Sequence, residues 1–488
     1  MNPWLIIIAL FALITIVLFK TKHERHFLFF VIRTKYGIKL INYLARLRPD
    51  FWMFMGDLGV LVSFSGLGVL YLLKHEKSRK NTYFGLILIV LMGVYLSKVS
   101  LLAKLLSGII LVGAIMLLNK VKNTAVVFAL ASLLISYAVG AAVPKMPLYL
   151  VLFFGFLGFP AVIIALLVQN AYDILQGSMI PGVSPLLPTT KDGNIGMGVP
   201  GYDLFIPWWY AVIAIVATFG PHEISHGILS RVGRIKLKST GLLTFGGLLL
   251  GAFVEPDEED LKSKPSISKM RVYSAGSIAN FAVGILCILI ILALPTVIKY
   301  VTYSEGVKVV DLNEGYPAEK VLEKGAIIYE LNNITMDEIY SFEKAAGGLK
   351  PGDLVVLKTD NGVVMLNATK SPIDEEKGYM GVIVVKNIRS KFGFLTWLLT
   401  PGLLNFILNS LAWIYFFSLS IGTVNLLPVP PFDGYRMFDE IINNLRVKEG
   451  EIKRIIYGTI AVTLIVFFLN MFPLIRMALN YFLEIFGL

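Results

Sequence analysis

Residues 219–227 read FGPHEISHG and lie within the apolar run 204–230, which is long enough for a membrane-spanning helix. The stretch places His222 and His226 four positions apart, with Glu223 directly after the first. Residues four apart share one face of a helix, so both imidazoles can bind one metal ion. This H-E-x-x-H spacing is typical of zinc sites in which the glutamate acts as a base on a water molecule.

The rarity of histidine makes this pattern specific. The chain has only five histidines, and a chance H-E-x-x-H is expected on the order of a few times in a thousand such chains. The alternative is a buried histidine pair that bonds to nearby carbonyls. Ionisable residues within a membrane span are costly and usually functional, which favours metal binding. His23, His26 and His75 lie among basic residues, and we interpret them as surface residues.

The composition identifies the class of protein. Of 488 residues, 56% are hydrophobic and only 16% are charged, whereas soluble proteins carry about a quarter charged residues. This excludes a water-soluble globule, a disordered chain and a fibrous repeat, and predicts a polytopic α-helical membrane protein. The net charge of +11 is explained by Lys and Arg in cytoplasmic loops, so we expect no nucleic-acid partner. The single Cys287, in an apolar run, is expected to be a packed hydrophobe.

The apolar runs give the candidate membrane segments. Because no basic region precedes the first run, we expect it to be an anchor and not a cleaved signal peptide. The run 83–118 is long enough for two short passes or a hairpin. Basic clusters at 20–48 and 74–80 flank the run 52–73, which indicates that this run is re-entrant or that a span is misread. The runs are 2–19, 52–73, 83–118, 124–143, 147–170, 204–230, 272–298, 402–427 and 455–472.

Two stretches are polar enough to lie outside the membrane. Residues 301–390 alternate short β-branched runs with helical segments, and Asp360-Asn361-Gly362 is a strong hairpin signal. This pattern predicts a soluble α/β domain inserted between two spans. Residues 171–203 are rich in Pro, Gly and Ser and are predicted to form an ordered loop.

A catalytic zinc ion needs a third protein ligand. Asp433 is the favoured candidate, because the prolines before it break a helix that began as a span and Gly434 lets the backbone turn. Such irregular backbone at membrane depth is tolerated only where it is buried or lines a cavity. Glu255 is the second candidate, although its acidic neighbours at 257–260 indicate a hydrated loop.

These motifs together resemble the site-2 protease family of intramembrane zinc metalloproteases, especially its eukaryotic-type and archaeal branch. The resemblance covers about residues 200–440, and the N-terminal 170 residues match nothing in it. Phe432 stands where Leu is common before the aspartate, a conservative change. The matching stretches are HEISHG at 222–227, GAFV at 251–254, MRVYSAGSIANF at 270–281, GYPA at 315–318, and Asn425 with Pro428, Asp433 and Gly434.

The resemblance implies one Zn²⁺ per chain held by His222, His226 and Asp433, with Glu223 as the general base. It implies that Asn280 lies near the site, where it would donate a hydrogen bond to the substrate backbone or oxyanion. A helix-packing amide is the alternative role, and the same two roles apply to Asn425. It also implies a membrane hairpin at 251–254, a PDZ-like domain, and transmembrane proteins as substrates.

The distribution of basic residues predicts the topology independently. Lys and Arg at 231–238 and 262–271 flank the Gly-containing segment 241–254, which is too short to span and should re-enter the same side. The next span then crosses outward and leaves the PDZ-like domain outside. The 402–427 span returns, so Asp433 reaches the cytoplasmic half that holds the two histidines.

We therefore predict a polytopic membrane protein with a re-entrant β-hairpin and an inserted PDZ-like α/β domain. A membrane zinc transporter, an inactive scaffold and a prenyl-protein endopeptidase are the alternative functions. The predicted regions are 1–170, N-terminal transmembrane segments of unknown role; 171–203, an extracytoplasmic loop; 204–300, the zinc-helix part of the core; 303–390, the PDZ-like domain; 394–440, the part carrying Asp433; and 441–488, a C-terminal transmembrane segment.

Overall fold

The computed structural model describes residues 3–21, 23–336, 339–393, 397–444 and 448–485. The chain forms two compact units. Unit 1 comprises Met1–Ile288 and Ser410–Leu488, and unit 2 comprises Leu289–Asn409.

Long apolar helices dominate the chain, which confirms the prediction of a polytopic membrane protein. Within the described residues, seven helices are by length and composition apolar enough to cross a membrane, and one of them, Pro49–Leu72, is broken at Ser65. The run 83–118 divides into two helices, as one reading of the sequence expected, and the run 147–170 divides at Gly158. The helices are α1 Pro3–Phe19, α2 Tyr36–Leu47, α3 Pro49–Leu72, α4 Glu76–Leu96, α5 Leu101–Leu118, α6 Thr124–Ala142, α7 Leu148–Leu157, α8 Phe159–Leu175, α9 Trp208–Val232, α10 Glu258–Lys262, α11 Ser266–Val301, α12 Ile339–Gly347, α13 Pro401–Val424, α14 Asp433–Asn443 and α15 Glu449–Ile485.

Helix α3 is folded back on itself. Ser65 has φ 46° and ψ −118°, which breaks the helix. A Cβ atom built on Gly68 would lie 2.6 Å from the carbonyl oxygen of Val60, whereas residues eight apart in a continuous helix are separated by about 12 Å. The segment is therefore a helical hairpin with both ends on one side. This geometry favours the re-entrant interpretation of the run 52–73 and lets the basic clusters on either side of it share one face of a membrane.

A four-stranded antiparallel sheet lies beside α9, with the strand order β1-β2-β6-β7. The hairpin β6–β7 covers the segment predicted at 241–254. Strands β1 and β2, by contrast, come from the basic stretch 20–48, in which no strand was predicted. Among the described strands β7 forms one edge of the sheet. The strands are β1 Glu24–His26, β2 Phe29–Thr34, β6 Leu237–Phe245 and β7 Leu248–Pro256.

The stretch 171–203 is not the loop that was expected. Three strands, β3 Leu187–Lys191, β4 Asn194–Gly198 and β5 Phe205–Pro207, form an antiparallel sheet. Asp192 and Gly193 connect the first two with φ 52° and φ 76°. Positive φ at both central residues is typical of a type I′ hairpin turn, so the Asp-Gly pair was an available signal that the prediction missed.

Unit 2 contains an antiparallel sheet with the order β12-β11-β9-β8-β15, with β10 paired to β9. The hairpin predicted at Asp360-Asn361-Gly362 is confirmed, because Thr359 pairs with Gly362 across the turn. Its own core includes Val307, Ile328 and Leu357, all fully buried. The elements are β8 Thr302–Leu312, a 3-10 turn Pro317–Lys320, β9 Ile327–Leu331, β10 Ile334–Thr335, α12, β11 Leu354–Thr359, β12 Gly362–Asn367, β13 Thr369–Lys370, β14 Gly378–Tyr379 and β15 Val382–Ser390.

The largest core of unit 1 joins the N-terminal helices to the helices around the histidine motif. Phe64 of α3, Leu86 of α4 and Ile135 of α6 belong to one buried cluster with Met270 of α11 and Met437 of α14. The N-terminal region, whose role the sequence left open, therefore packs directly against the helices that carry the candidate site.

Candidate metal centre

Helix α9 carries the histidine motif on its second half. Pro221 lies inside the helix directly before His222, and its missing N–H leaves the carbonyl of Ala217 without its usual helical partner. His222 is buried, and His226 and Glu223 are partly buried. Gly227 gives Ile41 of α2 room to pack, because a Cβ there would lie 2.7 Å from the Ile41 side chain.

The structure brings His222, His226 and Asp433 together. The two Nε2 atoms lie 3.3 Å apart. The Oδ2 atom of Asp433 lies 3.1 Å from Nε2 of His226 and 3.5 Å from Nε2 of His222. Ligand atoms at tetrahedral zinc, with bonds of 2.0–2.1 Å, are separated by about 3.3 Å. The three atoms therefore have the spacing of one face of a zinc tetrahedron, and the fourth position is left to water or substrate.

Asp433 is the first residue of helix α14 and directly follows the non-helical segment between α13 and α14. Gly434 fixes this turn, because its N–H donates to the carbonyl of Asn425 at 2.7 Å and a Cβ there would lie 2.2 Å from the carbonyl oxygen of Leu426. As a zinc ligand, the Asp433 side chain would be an ionised carboxylate.

Helix α11 contacts both imidazoles. Nδ1 of His226 lies 2.8 Å from the carbonyl oxygen of Val272, and Nδ1 of His222 lies 3.0 Å from the amide nitrogen of Asn280. Between them, a Cβ on Gly276 would lie only 2.3 Å from Nε2 of His222. Positions 272, 276 and 280 are four apart and form one stripe of the helix. The ligand-supporting roles of Val272 and Gly276 were not predicted, although glycine in mid-helix signals close approach.

The partners of the imidazoles set their tautomers. Nδ1 of His226 can only donate to a carbonyl, so its Nε2 keeps the lone pair that binds a metal. Nδ1 of His222 must likewise donate, which requires the amide oxygen of Asn280 to face it. That oxygen is buried without a hydrogen-bond partner. Rotating the Asn280 amide by 180° exchanges its oxygen and nitrogen, and the oxygen then accepts a hydrogen bond from the imidazole N–H. Asn280 is fully buried, which favours orientation of His222 over the predicted contact with substrate.

The Glu223 carboxylate contacts strand β7 of the sheet. Its Oε2 accepts a hydrogen bond of 3.0 Å from the N–H of Val254 on β7, which leaves Oε1 for other contacts. Glu223 and the three candidate ligands line one cavity of about 270 Å³, together with Asn425. The sequence-predicted base thus lies at the wall of the cavity that holds the histidines.

The alternative ligand Glu255 lies elsewhere. Its carboxylate bonds to Ser239 at 2.5 Å and pairs with Arg33 of β2. It lines a separate, larger groove of about 860 Å³ along β7 and does not line the cavity of the histidines. Val254 and Arg436 line both spaces, so the groove adjoins the cavity. Among the described residues, His222, His226 and Asp433 form the only such metal-ligand group.

Comparison with known proteins is consistent with this geometry. Residues 210–468 match the model of peptidase family M50. An uncharacterized protein of Methanocaldococcus jannaschii is 28% identical over 247 residues, which are 50% of this chain and 60% of that protein. The membrane-bound transcription factor site-2 protease homolog of Arabidopsis thaliana is 26% identical over 171 residues, 35% of this chain and 32% of that protein. The chain therefore spans less than two thirds of either relative.

Proposed function

The chain belongs to peptidase family M50, a family of membrane metalloproteases, and we propose that it is a zinc endopeptidase that cuts peptide bonds within transmembrane helices of other proteins. The observation that supports this most strongly is the spacing of three ligand atoms, 3.1–3.5 Å from one another, beside the Glu223 carboxylate. Donors of these types bind catalytic zinc, and hydrolysis needs a base beside the coordination position that the protein leaves open.

Each residue has a defined task in the proposed reaction. His222, His226 and Asp433 would hold the ion, which supplies a Lewis acid that brings the pKa of water close to neutrality. Oε1 of Glu223 takes the proton from the attacking water and passes it to the leaving amine. The Val254 N–H fixes the other carboxylate oxygen and so aims Oε1 into the cavity. Asn425, which lines the same cavity, is the better placed of the two asparagines to contact substrate.

A peptide bond in a helix must become extended before it can be cut. Strand β7 pairs with β6 along one side only among the described strands. The N–H of Val254 points away from β6, because it bonds to Glu223, and the backbone of Ala252 faces the same way by strand periodicity. We propose that an unwound substrate adds to this edge as a further strand, which would hold the scissile bond across the cavity.

The remaining parts of the proposal concern the membrane. The distribution of Lys and Arg supports an active site towards the cytoplasmic side, with the β6–β7 hairpin re-entering the membrane from that side and the PDZ-like domain outside. We interpret residues 303–390 as a PDZ-like domain that, together with the stretch 171–203, excludes substrates with bulky outer domains or receives a freshly trimmed end.

The decisive experiment compares the parent with Glu223→Gln. Purified protein is incubated with a transmembrane substrate, with and without a zinc chelator, and zinc per chain is measured in parallel. A protease loses turnover by at least about 100-fold in the variant and keeps its zinc. Cleavage that survives the substitution would refute Glu223 as the base, and a parent that holds zinc without cleaving any substrate would support a transporter or an inactive scaffold.

A further inference from the structure

Helix α11 has a second stripe, on a different face from the residues that touch the imidazoles. Arg271, Ser274 and Ile278 face the folded helix α3 of the N-terminal region. The Ser274 hydroxyl donates to the carbonyl of Gly56 at 2.9 Å, and Cβ atoms built on Gly56 and Gly59 would lie within 3.1 Å of all three α11 side chains. The contact between α3 and α11 is thus close.

A buried ion pair lies in this contact. Nε of Arg271 donates to Oδ1 of Asp57 at 2.7 Å, and Nη2 donates to Oδ2 at 2.8 Å. The Asp57 carboxylate also accepts from Ser78 at 3.2 Å and from Asn81 at 2.7 Å. The Asp57 side chain is 0% exposed and that of Arg271 is 10% exposed. Such a bidentate ion pair fixes the relative orientation of the two side chains as well as their distance.

We propose that Asp57 and Arg271 are positioning residues for the metal centre. Arg271 directly precedes Val272, whose carbonyl accepts from His226, and the same helix presents Gly276 and Asn280 to the ligands. A shift of α11 along its axis moves all three supports together. The ion pair opposes that shift. Through it, the N-terminal region keeps the zinc ligands in position. This inference rests on the proposed metal site.

Stability alone does not account for such a pair. Replacing a buried ion pair by apolar residues of similar size is often neutral for stability, whereas removing one partner leaves a buried charge and is strongly destabilising. The pair fixes one register of two packed helices in a way that apolar side chains, which slide past one another, do not. A double apolar replacement therefore separates positioning from folding.

The test uses the full-length protein and three variants. Asp57→Leu/Arg271→Met removes the pair without leaving a charge. Asp57→Asn removes one partner, and Asp50→Asn, the same change at an exposed position of the same helix, is the matched control. The measurements are zinc affinity by competition with a chelator, the visible absorption spectrum of the cobalt-substituted protein, and the unfolding temperature.

We expect the double variant to fold with a cooperative unfolding transition, to bind zinc at least ten-fold more weakly, as loss of ligand support typically causes, and to show an altered cobalt spectrum. Asp50→Asn should match the parent throughout. A double variant with parental zinc affinity and spectrum would overturn the proposal, and so would one that fails to fold, because the pair would then be a folding requirement. A parent that binds no metal would refute the proposed function as well.

Discussion

Gly276 offers the sharpest test of the metal centre, because its substitution adds a single methyl group at the ligands. The Cβ of an alanine there would lie 2.3 Å from Cε1 and Nε2 of His222 and 2.5 Å from Nε2 of His226. Non-bonded heavy atoms need about 3.5 Å, so the imidazoles or α11 must move by about 1 Å. Zinc ligands must keep their distances within about 0.2 Å.

We therefore expect Gly276→Ala to lower zinc affinity by at least about 100-fold, or about 2.7 kcal/mol, with a corresponding loss of cleavage. Folding should survive, because alanine gains about 1 kcal/mol of helix propensity over glycine, which offsets part of the overpacking cost of about 1–3 kcal/mol. Zinc per chain, chelator competition and thermal unfolding measure the three quantities.

Gly284→Ala is the matched control in the same helix. Its Cβ would meet the end of the flexible Leu419 side chain at 3.2 Å, which can move aside. This variant should keep one zinc per chain and parental turnover. If Gly276→Ala also kept both, the imidazoles could not bind a metal in the positions described here, and the assignment of the ligand face of α11 would be refuted.

Three further predictions concern the ligands and the inserted domain. Asp433→Ala should reduce zinc to less than about a tenth of an ion per chain, whereas Glu255→Ala should leave it unchanged, because that carboxylate pairs with Arg33; the opposite result by elemental analysis would reverse the choice of third ligand. Asn280→Ala should weaken zinc binding by about 10–100-fold in chelator competition, and parental affinity would identify a mere packing amide. Residues 303–389 can be replaced by a short linker, because Thr302 and Ser390 are paired across β8 and β15; the shortened protein should cleave full-length, untrimmed substrates, and unchanged selectivity would count against a filter.

Local sequence patterns predicted the parts of the fold that local physics determines. Apolar runs of about 20 residues define membrane helices, because backbone groups in lipid must be satisfied within the segment. The turn Asp360-Asn361-Gly362 defines a hairpin because its residues accept positive φ, as Gly362 does with φ 116°. The histidine motif could be assigned in the same way, since both imidazoles lie on one helix four residues apart.

The prediction failed where a structure depends on distant partners. Strands β1 and β2 exist because β2 pairs with β6, more than 200 residues later, and their own sequence is basic and short. The basic clusters on either side of the run 52–73 indicated that it re-enters, but the position of its break at Ser65 becomes visible only in the structure, where Gly68 meets Val60. The support of the imidazoles depends likewise on α11, which no spacing within the histidine motif reveals.

The two perturbations of α11 should leave different signatures, because they move the helix in different directions. An alanine at position 276 pushes α11 away from α9, perpendicular to the helix axis, and presses on both imidazoles at once. Loss of the pair between Asp57 and Arg271 frees α11 to slide along its axis, which strains the bonds from Val272 and Asn280 while the space at position 276 remains open. Zinc should then still bind to Asp57→Leu/Arg271→Met at saturating concentration, whereas Gly276→Ala should not fill with zinc at the same concentration. Equal saturation of both variants would mean that α11 has no separate axial freedom, and that the glycine contact alone holds the ligands in place.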